Sequence, residues 1–285
     1  MTREFQGPWN YQSYRVVGDA VPWQEVIGRV PFINCDPIFH GLDSKWDILP
    51  APPSWLSGHL IRKDCLTAPI PSADYAAHKD ELVLLPDLGI VSRGNVGSVI
   101  LFGSRPIESM RDIALPSDSS TSKKLLGWIL EDRGLDPKTV EMGPNLTTML
   151  ECCDGALMIG DRALSAVSEY PSFVQMDLGA EWTRITGTPM VFGIFAKRKD
   201  APLESARNAR DDMLRQCEMF EQDERWRNEV IKSSSESSGI PKSRVSQYFD
   251  NEVENRLDQD SIDGLEMFLR EACGMPGEIE WAWMD

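Results

Sequence analysis

The chain has 285 residues, of which 41% are hydrophobic, and its formal net charge is −16. That length and apolar share allow a sizeable core, in one large domain or in two lobes. The acidic balance argues against a nucleic-acid partner and against an anionic membrane surface, because both need a basic face. An acidic protein can still bind a small anion where helix ends and a few basic residues focus positive potential in a cleft.

The N-terminal stretch MTREFQGPWNYQSYR lacks the apolar core of a signal peptide, and no run in the chain approaches the length of a membrane-spanning helix. The six cysteines are scattered without metal-ligand spacing, and His40, His59 and His78 also lack it. The sequence therefore predicts a cytoplasmic protein with buried thiols, no membrane partner and no metal site.

Residues 1–24 show little periodicity and are predicted to form an N-terminal extension. A short strand at 26–30 then runs into a turn at 31–37, which is bracketed by prolines and carries Asn34. An asparagine just beyond a buried strand is well placed to face a cleft. An Asx turn, in which the side chain bonds its local backbone, would also explain it.

Two further loops adjoin predicted strands. The strand-like segment TAPIPS ends at Ser72, which is the predicted N-cap of a helix. The turn at 94–98 contains Ser98 and leads into an apolar strand at 99–102. Its glycine spacing fits neither a Walker A loop nor a Rossmann fingerprint, so no nucleotide cofactor is predicted.

Strands and helices alternate after residue 103, with predicted elements at 112–116, 121–133, 139–142, 145–152 and 155–159. Gly160 and Asp161 follow the last of these strands and open another helix, where Asp161 is either an N-cap or a catalytic carboxylate. In an open α/β sheet, ligands bind beyond the carboxyl ends of the strands, where such junctions meet.

The loop before the helix at 121–133 carries five hydroxyl groups: Ser117, Ser119, Ser120, Thr121 and Ser122. One N-cap needs only one hydroxyl. The first turn of a helix also presents unpaired N–H groups and a positive dipole end, which can hold a carboxylate or phosphate. Local chemistry leaves a simple cap and an anion site as equal alternatives.

An apolar strand at 189–196 precedes a C-terminal region that is predicted to be helical. A long amphipathic helix is expected over 203–232, a Ser-rich polar loop over 232–239, and further helices near 242–252 and 260–272. Trp281 and Trp283 are expected to pack as a C-terminal flap, with an interface as the alternative.

Six motifs occur in a fixed order between residues 28 and 198: GRVPFINCDP (28–37), IPSADYA (70–76), LLPDLGIVSRGNVGSVILF (84–102), SSTSKKLL (119–126), ALMIGDRAL (156–164) and DLGAEWTRITGTPMVFGIFAKR (177–198). Together they resemble the chorismate dehydratases, the first enzymes of the futalosine route to menaquinone. Asp74 stands where that family more often has Glu, and the region after residue 200 agrees only in being helical.

The resemblance implies an α/β fold with two lobes, similar to type II periplasmic solute-binding proteins, with a helical C-terminal region. Lobe one would combine 25–103 with 195–285, and lobe two would be 104–194. Crossing strands near 102–105 and 192–196 would join the lobes, and the ligand would bind in the cleft between them.

The activity implied by the resemblance is dehydration of chorismate to 3-[(1-carboxyvinyl)oxy]benzoate, a lyase reaction that needs no cofactor. Asn34 and Ser98 would orient the ring and the leaving hydroxyl. The base would be either the substrate's own enolpyruvyl carboxylate or Asp161. The residues that would hold the small dicarboxylate substrate are Ser72, Ser119, Ser120, Thr121, Ser122 and Gly160.

Two other functions fit the same fold, because a fold does not fix a function. One is a non-catalytic solute-binding protein for small anions, which would normally need export. The other is the sister dihydroxynaphthoate synthase-type lyase of the same pathway, which opens with a different motif. A LysR-type regulator would need an N-terminal helix-turn-helix, for which residues 1–24 are too short. The motif at 28–37 favours the dehydratase, and the oligomeric state stays open.

Overall fold

A computed structural model describes residues 21–283 of the chain. Their strands form two β-sheets, and helices pack around both. Among the helices of this range, none is both long and apolar enough to cross a membrane. The predicted N-terminal extension lies outside the described residues, except for its last part at 21–24.

The strands of residues 21–283 are β1 (Val26–Arg29), β2 (Asp47–Pro50), β3 (Thr67–Pro71), β4 (Leu82–Ser92), β5 (Val99–Gly103), β6 (Asp112–Pro116), β7 (Lys138–Met142), β8 (Gly155–Ile159), β9 (Val174–Asp177), β10 (Met190–Arg198) and β11 (Glu254–Arg256). The first sheet has the order β11-β4-β10-β3-β1-β2, and the second has the order β7-β6-β8-β5-β9. Both sheets are mixed. Strand β1 is parallel to β2 and β3, and β6 is parallel to β7 and β8, whereas β10 and β5 run antiparallel to their neighbours.

Strand β5 pairs in the second sheet, from Val99 opposite Ile159 to Gly103 opposite Gly155. This differs from the sequence prediction, which assigns 25–103 to lobe one and a crossing strand to 102–105. Strand β10, predicted to cross near 192–196, lies within the first sheet. The chain instead passes between the sheets before Val99 and again before Met190. An apolar run predicts a strand, but its pairing partner is set by contacts that are distant in sequence.

The α-helices of the described range are α1 (Asp36–Phe39), α2 (Pro53–Ile61), α3 (Ser72–His78), α4 (Thr121–Asp132), α5 (Leu146–Cys152), α6 (Gly160–Glu169), α7 (Leu178–Thr186), α8 (Leu203–Gln222), α9 (Glu224–Ser238), α10 (Lys242–Asn251) and α11 (Gln259–Glu271). Side-chain oxygens cap the N-termini of four of them, namely α5, α7, α9 and α11. The alternating elements predicted between 112 and 159 are confirmed as β6, α4, β7, α5 and β8. Strand periodicity and capping residues are local signals, which explains this agreement.

Two predictions in the C-terminal region were wrong. The helix expected over 203–232 is two helices, because Asp223 ends α8 and its carboxylate accepts two backbone N–H groups at the start of α9. The Ser-rich stretch at 232–239 is not a loop, since α9 continues to Ser238 and ends at Gly239 with a φ of 74°. Ser234 within it is fully buried, so one face of this polar helix packs against the body.

Two smaller predictions can also be compared with the structure. The C-terminal flap is confirmed, because Trp281 pairs with Leu84 of β4 and Trp283 is buried beneath Arg207 and Arg210. All six cysteines are free thiols. Cys35, Cys65, Cys153 and Cys217 are buried as expected, whereas Cys273 is half-buried and Cys152 is exposed.

Candidate functional site

A partly open cleft lies between the two sheets. Its walls are mostly apolar and include Phe32 and Phe192, together with residues from β3, β4, β5 and β8. A largely apolar cleft with a few convergent polar groups is typical of a small-molecule site. Its polar side chains belong to five of the residues predicted from sequence: Asn34, Ser98, Ser119, Thr121 and Ser122.

Asn34 lies in the turn after β1 and is only 9% exposed. Its Oδ1 atom is buried and has no hydrogen-bond partner among the described residues, so no Asx turn accounts for this side chain. Its backbone carbonyl is fixed, because Asn255 Nδ2 donates to it at 3.0 Å. A buried amide oxygen without a partner is costly. A ligand hydroxyl or ammonium group in the cleft would remove that cost.

The N-terminus of α4 faces the same cleft through Ser119, Thr121 and Ser122. Within the described residues, no side chain makes a capping hydrogen bond at Ser120, the N-cap position. The simple-cap alternative is therefore not what the structure shows. The first N–H groups of a helix have no intrahelical acceptor and carry the positive end of its dipole. This corner of the cleft suits a carboxylate.

Two of the predicted substrate-binding hydroxyls point elsewhere. Ser72 Oγ is fully buried and donates to the Val191 carbonyl at 2.7 Å. Ser120 Oγ donates to the Asp74 carboxylate, which also accepts a hydrogen bond from Ser57. Neither Ser72 nor Ser120 is among the residues that line the cleft in the described range. The Ser72 hydroxyl joins α3 to β10, and the Ser120 hydroxyl joins the start of α4 to α3.

Gly160 lines the cleft and has a φ of +63°, a conformation that suits glycine. The ring of Phe32 lies directly over it, since a Cβ added at Gly160 would be 2.8 Å from three ring atoms. The Gly160 N–H donates to the Ser98 carbonyl at 2.7 Å. The missing side chain therefore lets the two sides of the cleft approach each other.

Asp161 does not line the cleft and does not cap its own helix. One of its carboxylate oxygens accepts the Ile33 N–H at 3.1 Å, and Ile33 belongs to the first sheet's side. Burial is the main reason that the pKa of Asp161 is raised to about 7. The nearby Asp36 carboxylate raises this pKa further. The structure thus gives Asp161 a contact across the cleft and leaves its predicted catalytic role untested.

Ser98 lies at the end of the turn before β5 and is buried. The turn is held by Asp177, whose carboxylate accepts the N–H groups of Val96 at 3.0 Å and Gly97 at 2.7 Å. The Ser98 hydroxyl lies 2.9 Å from the hydroxyl of Tyr248, on α10. Sequence reasoning missed Tyr248, because its spacing to Val245 in a helical pattern indicates only a core residue.

Positive potential in the cleft comes from helix ends, because no lysine or arginine of the described residues lines it. Arg162 forms an ion pair with Asp118, and its guanidinium carbon lies 5.7 Å from the centroid of the Phe32 ring. Within residues 21–283, no three His, Cys, Asp or Glu side chains are grouped as metal ligands.

The fold and cleft define the class of protein, a two-lobed α/β fold of the periplasmic-binding type. The structure resembles the alkanesulfonate-binding protein of Xanthomonas axonopodis pv. citri bound to MOPS, with a TM-score of 0.65 and 17% identity over 92% of this chain and 98% of that one. It also resembles a protein of Archaeoglobus fulgidus, with a TM-score of 0.68 and 18% identity over 87% and 96% of the two chains. A Candida albicans gene product with the generic periplasmic binding protein fold matches at a TM-score of 0.63 and 11% identity, over 89% and 91%. The predicted fold class is confirmed.

The chain belongs to the family described as menaquinone biosynthesis, whose match covers residues 26–273. A related protein, the chorismate dehydratase of Thermus thermophilus, is 28% identical in an alignment of 272 positions that covers 88% of this chain and 96% of that protein. The family predicted from the motifs is confirmed, and its match extends beyond residue 200, where the motifs end.

Proposed function

We propose that this protein dehydrates chorismate to 3-[(1-carboxyvinyl)oxy]benzoate and is therefore a carbon–oxygen lyase of menaquinone biosynthesis. The family match and the similarity to the Thermus thermophilus chorismate dehydratase support this activity. They do not favour the two alternatives, a non-catalytic anion receptor and the sister lyase of the pathway. The six free thiols of this protein and its similarity to a biosynthetic enzyme support a cytoplasmic location.

The observation that carries the proposal is the buried Asn34 Oδ1 atom without a partner, in the same cleft as the Ser98 hydroxyl and the open N-terminus of α4. Chorismate has two carboxylates, a ring hydroxyl and an enolpyruvyl ether. A carboxylate matches the N–H groups of α4, and the ring hydroxyl can donate to Asn34. The apolar walls suit the ring.

The reaction removes one proton and one hydroxide from adjacent ring carbons. The proton leaves the carbon that bears the ether, and the electrons of that C–H bond form the new double bond as the neighbouring C–O bond breaks. The ring becomes aromatic, and the proton and hydroxide make water. The ring carboxylate acidifies this C–H bond through the conjugated double bond. Donors that hold the carboxylate therefore also stabilise the negative charge that develops.

Two groups are proposed as the base. The substrate's own enolpyruvyl carboxylate lies close to the reacting C–H bond by its covalent structure. Asp161 is the protein-side alternative and its raised pKa suits a proton acceptor near neutral pH. Its carboxylate, however, is bonded to Ile33 and does not line the cleft. This placement favours the substrate carboxylate.

The pairing of the strands suggests different residue bounds for the two lobes. One lobe would comprise residues 26–92 and 190–283, and the other would comprise 99–187. Asn34 then belongs to the first lobe and Ser119, Thr121 and Ser122 to the second. Substrate would be held by both, with Ser98 at the segment that joins them.

The test is incubation of the purified protein with chorismate alone, with the aromatic product followed by ultraviolet absorbance and mass. We expect Asn34→Ala and Ser98→Ala to lower kcat/KM by about 100-fold, as typical for a lost orienting or charge-stabilising contact. Asn95→Ala and Ser117→Ala are matched controls, because both side chains are exposed and outside the cleft lining.

Three outcomes would contradict the proposal. Wild-type rates in folded Asn34→Ala and Ser98→Ala would show that the site is elsewhere. Tight binding of chorismate without conversion would favour the solute-binding protein. Turnover of a later pathway intermediate, with chorismate untouched, would favour the sister lyase.

A further inference from the structure

The hydroxyl of Tyr248 is buried against the cleft although its helix lies in the C-terminal region. Tyr248 is 1% exposed, and its Oη atom lies 2.9 Å from Ser98 Oγ. Among the described residues, Ser98 is the one hydrogen-bond partner of this phenol, and Tyr248 is the one partner of the Ser98 hydroxyl. Ser98 itself lines the cleft. The phenol is thus one hydrogen bond away from bound ligand.

Donor and acceptor counting fixes the direction of this hydrogen bond. Each hydroxyl carries one donor hydrogen and can also accept. If Ser98 donated to Tyr248, the phenol hydrogen would be left buried without an acceptor, and a buried unpaired donor costs about 1–3 kcal/mol. If Tyr248 donates to Ser98, the serine hydrogen is directed to the cleft, where ligand or water can accept it. The second arrangement leaves no donor unpaired.

We propose that Tyr248 is a positioning residue, which donates to Ser98 and so keeps the Ser98 hydroxyl as a hydrogen-bond donor to the leaving hydroxyl of the substrate. The inference rests on the proposed dehydration. As the C–O bond breaks, the departing oxygen gains negative charge, and a donor already aimed at it stabilises that charge without reorganisation. Tyr248 touches Ser98 and not the substrate.

The environment of Tyr248 keeps it in the donor state. Burial strongly raises the pKa of its phenol, so the phenol stays protonated across the working pH range. The hydrogen bond with Ser98 lowers this pKa, and the negative charges of Asp161 and Glu252 raise it further. Neighbouring Phe249 and Arg244 pack against its ring, with Phe249 at 5.8 Å between centroids. The ring is therefore held in place, and the phenol acts as a fixed donor.

The test is a double-mutant cycle of Tyr248→Phe and Ser98→Ala, measured as kcat/KM for chorismate. Removing one hydrogen bond that acts through Ser98 should lower kcat/KM of the otherwise wild-type enzyme by about three- to tenfold, mostly in kcat. In the Ser98→Ala background the same change should alter kcat/KM by less than about twofold, because the partner is gone. Tyr75→Phe is the matched control: Tyr75 is equally buried, its hydroxyl accepts the Glu280 N–H at 2.8 Å, and it does not line the cleft.

Each other result overturns the inference. Equal losses in both backgrounds would mean that Tyr248 acts independently of Ser98, as a core residue would. An unchanged kcat/KM in Tyr248→Phe, or an equal loss in Tyr75→Phe, would also reject it. If Tyr248→Phe unfolds, 3-fluorotyrosine placed at position 248 keeps the donor and the shape. That protein should retain wild-type activity within about twofold, and a larger loss would count against the inference.

The wild-type arm separates this inference from the proposed function. If wild type converts chorismate and the cycle shows no coupling, only the role of Tyr248 fails. If wild type binds chorismate without converting it, dehydration fails, and the role of Tyr248 toward a leaving hydroxyl fails with it. If wild type does not bind chorismate at all, both fail.

Discussion

Substitution of Gly160 by alanine tests how closely the two sides of the cleft must approach. The added Cβ would lie 2.8 Å from three atoms of the Phe32 ring, at a residue whose φ is +63°. A left-handed conformation costs an L-residue about 1–2 kcal/mol. Overpacking at a tight contact costs about 1–3 kcal/mol. Together these effects predict a loss of about 2–5 kcal/mol in the free energy of unfolding.

Two further variants separate the two causes. Gly187 has a φ of +74° and no atom within 4 Å of its Cβ position, so Gly187→Ala should lose only the backbone share, about 1–2 kcal/mol. The double variant Phe32→Leu, Gly160→Ala lacks the aromatic ring, so it should recover the part of the lost stability that comes from overpacking. Thermal unfolding measures each of these losses. In a domain of about 150–250 residues, a loss of 1 kcal/mol lowers Tm by about 2–4 °C.

The activity of the same variants tests the site. Phe32 and Gly160 come from opposite sides of the cleft, so the methyl group of Gly160→Ala should separate the groups that hold the substrate. We expect kcat/KM for chorismate to fall at least tenfold, because small misplacements are costly in catalysis, while Gly187→Ala keeps its activity. Equal losses of stability in Gly160→Ala and Gly187→Ala, or full activity in Gly160→Ala, would refute this reasoning.

Three more substitutions test the contacts around the cleft. Burial raises the pKa of Asp161 from 3.8 to about 7, so the folded state retains a proton that the unfolded chain releases. Wild type should therefore lose stability relative to Asp161→Asn as the pH rises from about 4 to about 7. A difference in Tm that does not change with pH would contradict this. Asp177→Ala leaves the N–H groups of Val96 and Gly97 without their acceptor, which should lower the free energy of unfolding by about 2–4 kcal/mol. It should also lower kcat/KM, because the turn that carries Ser98 loses its support. Full activity in a folded Asp177→Ala protein would argue against this role of the turn. Thr121→Val removes the acceptor of the buried Ala73 N–H, a 3.1 Å bond, and should cost about 1–3 kcal/mol in denaturant unfolding. A loss below about 0.5 kcal/mol would show that this N–H finds another acceptor.

Local sequence signals were enough to predict the strands and helices between residues 112 and 159 and many of the residues that line the cleft. The hydroxyl-rich loop opens α4 as predicted, and three of its hydroxyl residues line the cleft with Asn34 and Ser98. These positions are set by where a strand ends and a helix begins, which hydrophobic periodicity and turn residues reveal. The order of the motifs then gave the family and the two-lobed fold.

Other features of the site were not readable from local pattern. Ser72 and Ser120 have the right chemistry and lie at the right junctions, yet their hydroxyls are taken by Val191 and Asp74. Tyr248 has no local mark of function at all. Whether a hydroxyl faces the ligand depends on which acceptor lies within about 3 Å after folding, and these acceptors are more than forty residues away in the chain.

The sequence alone determined the type and order of most elements, the family, and several of the loops that line the cleft, because each depends on residues that are neighbours in the chain. Tertiary structure decided that β5 joins the second sheet, that Asp161 bonds across the cleft, and that a phenol from the C-terminal helices supports Ser98. These depend on packing between distant segments. Such packing is specified by the whole set of buried surfaces and hydrogen bonds together, and no single stretch of sequence encodes it.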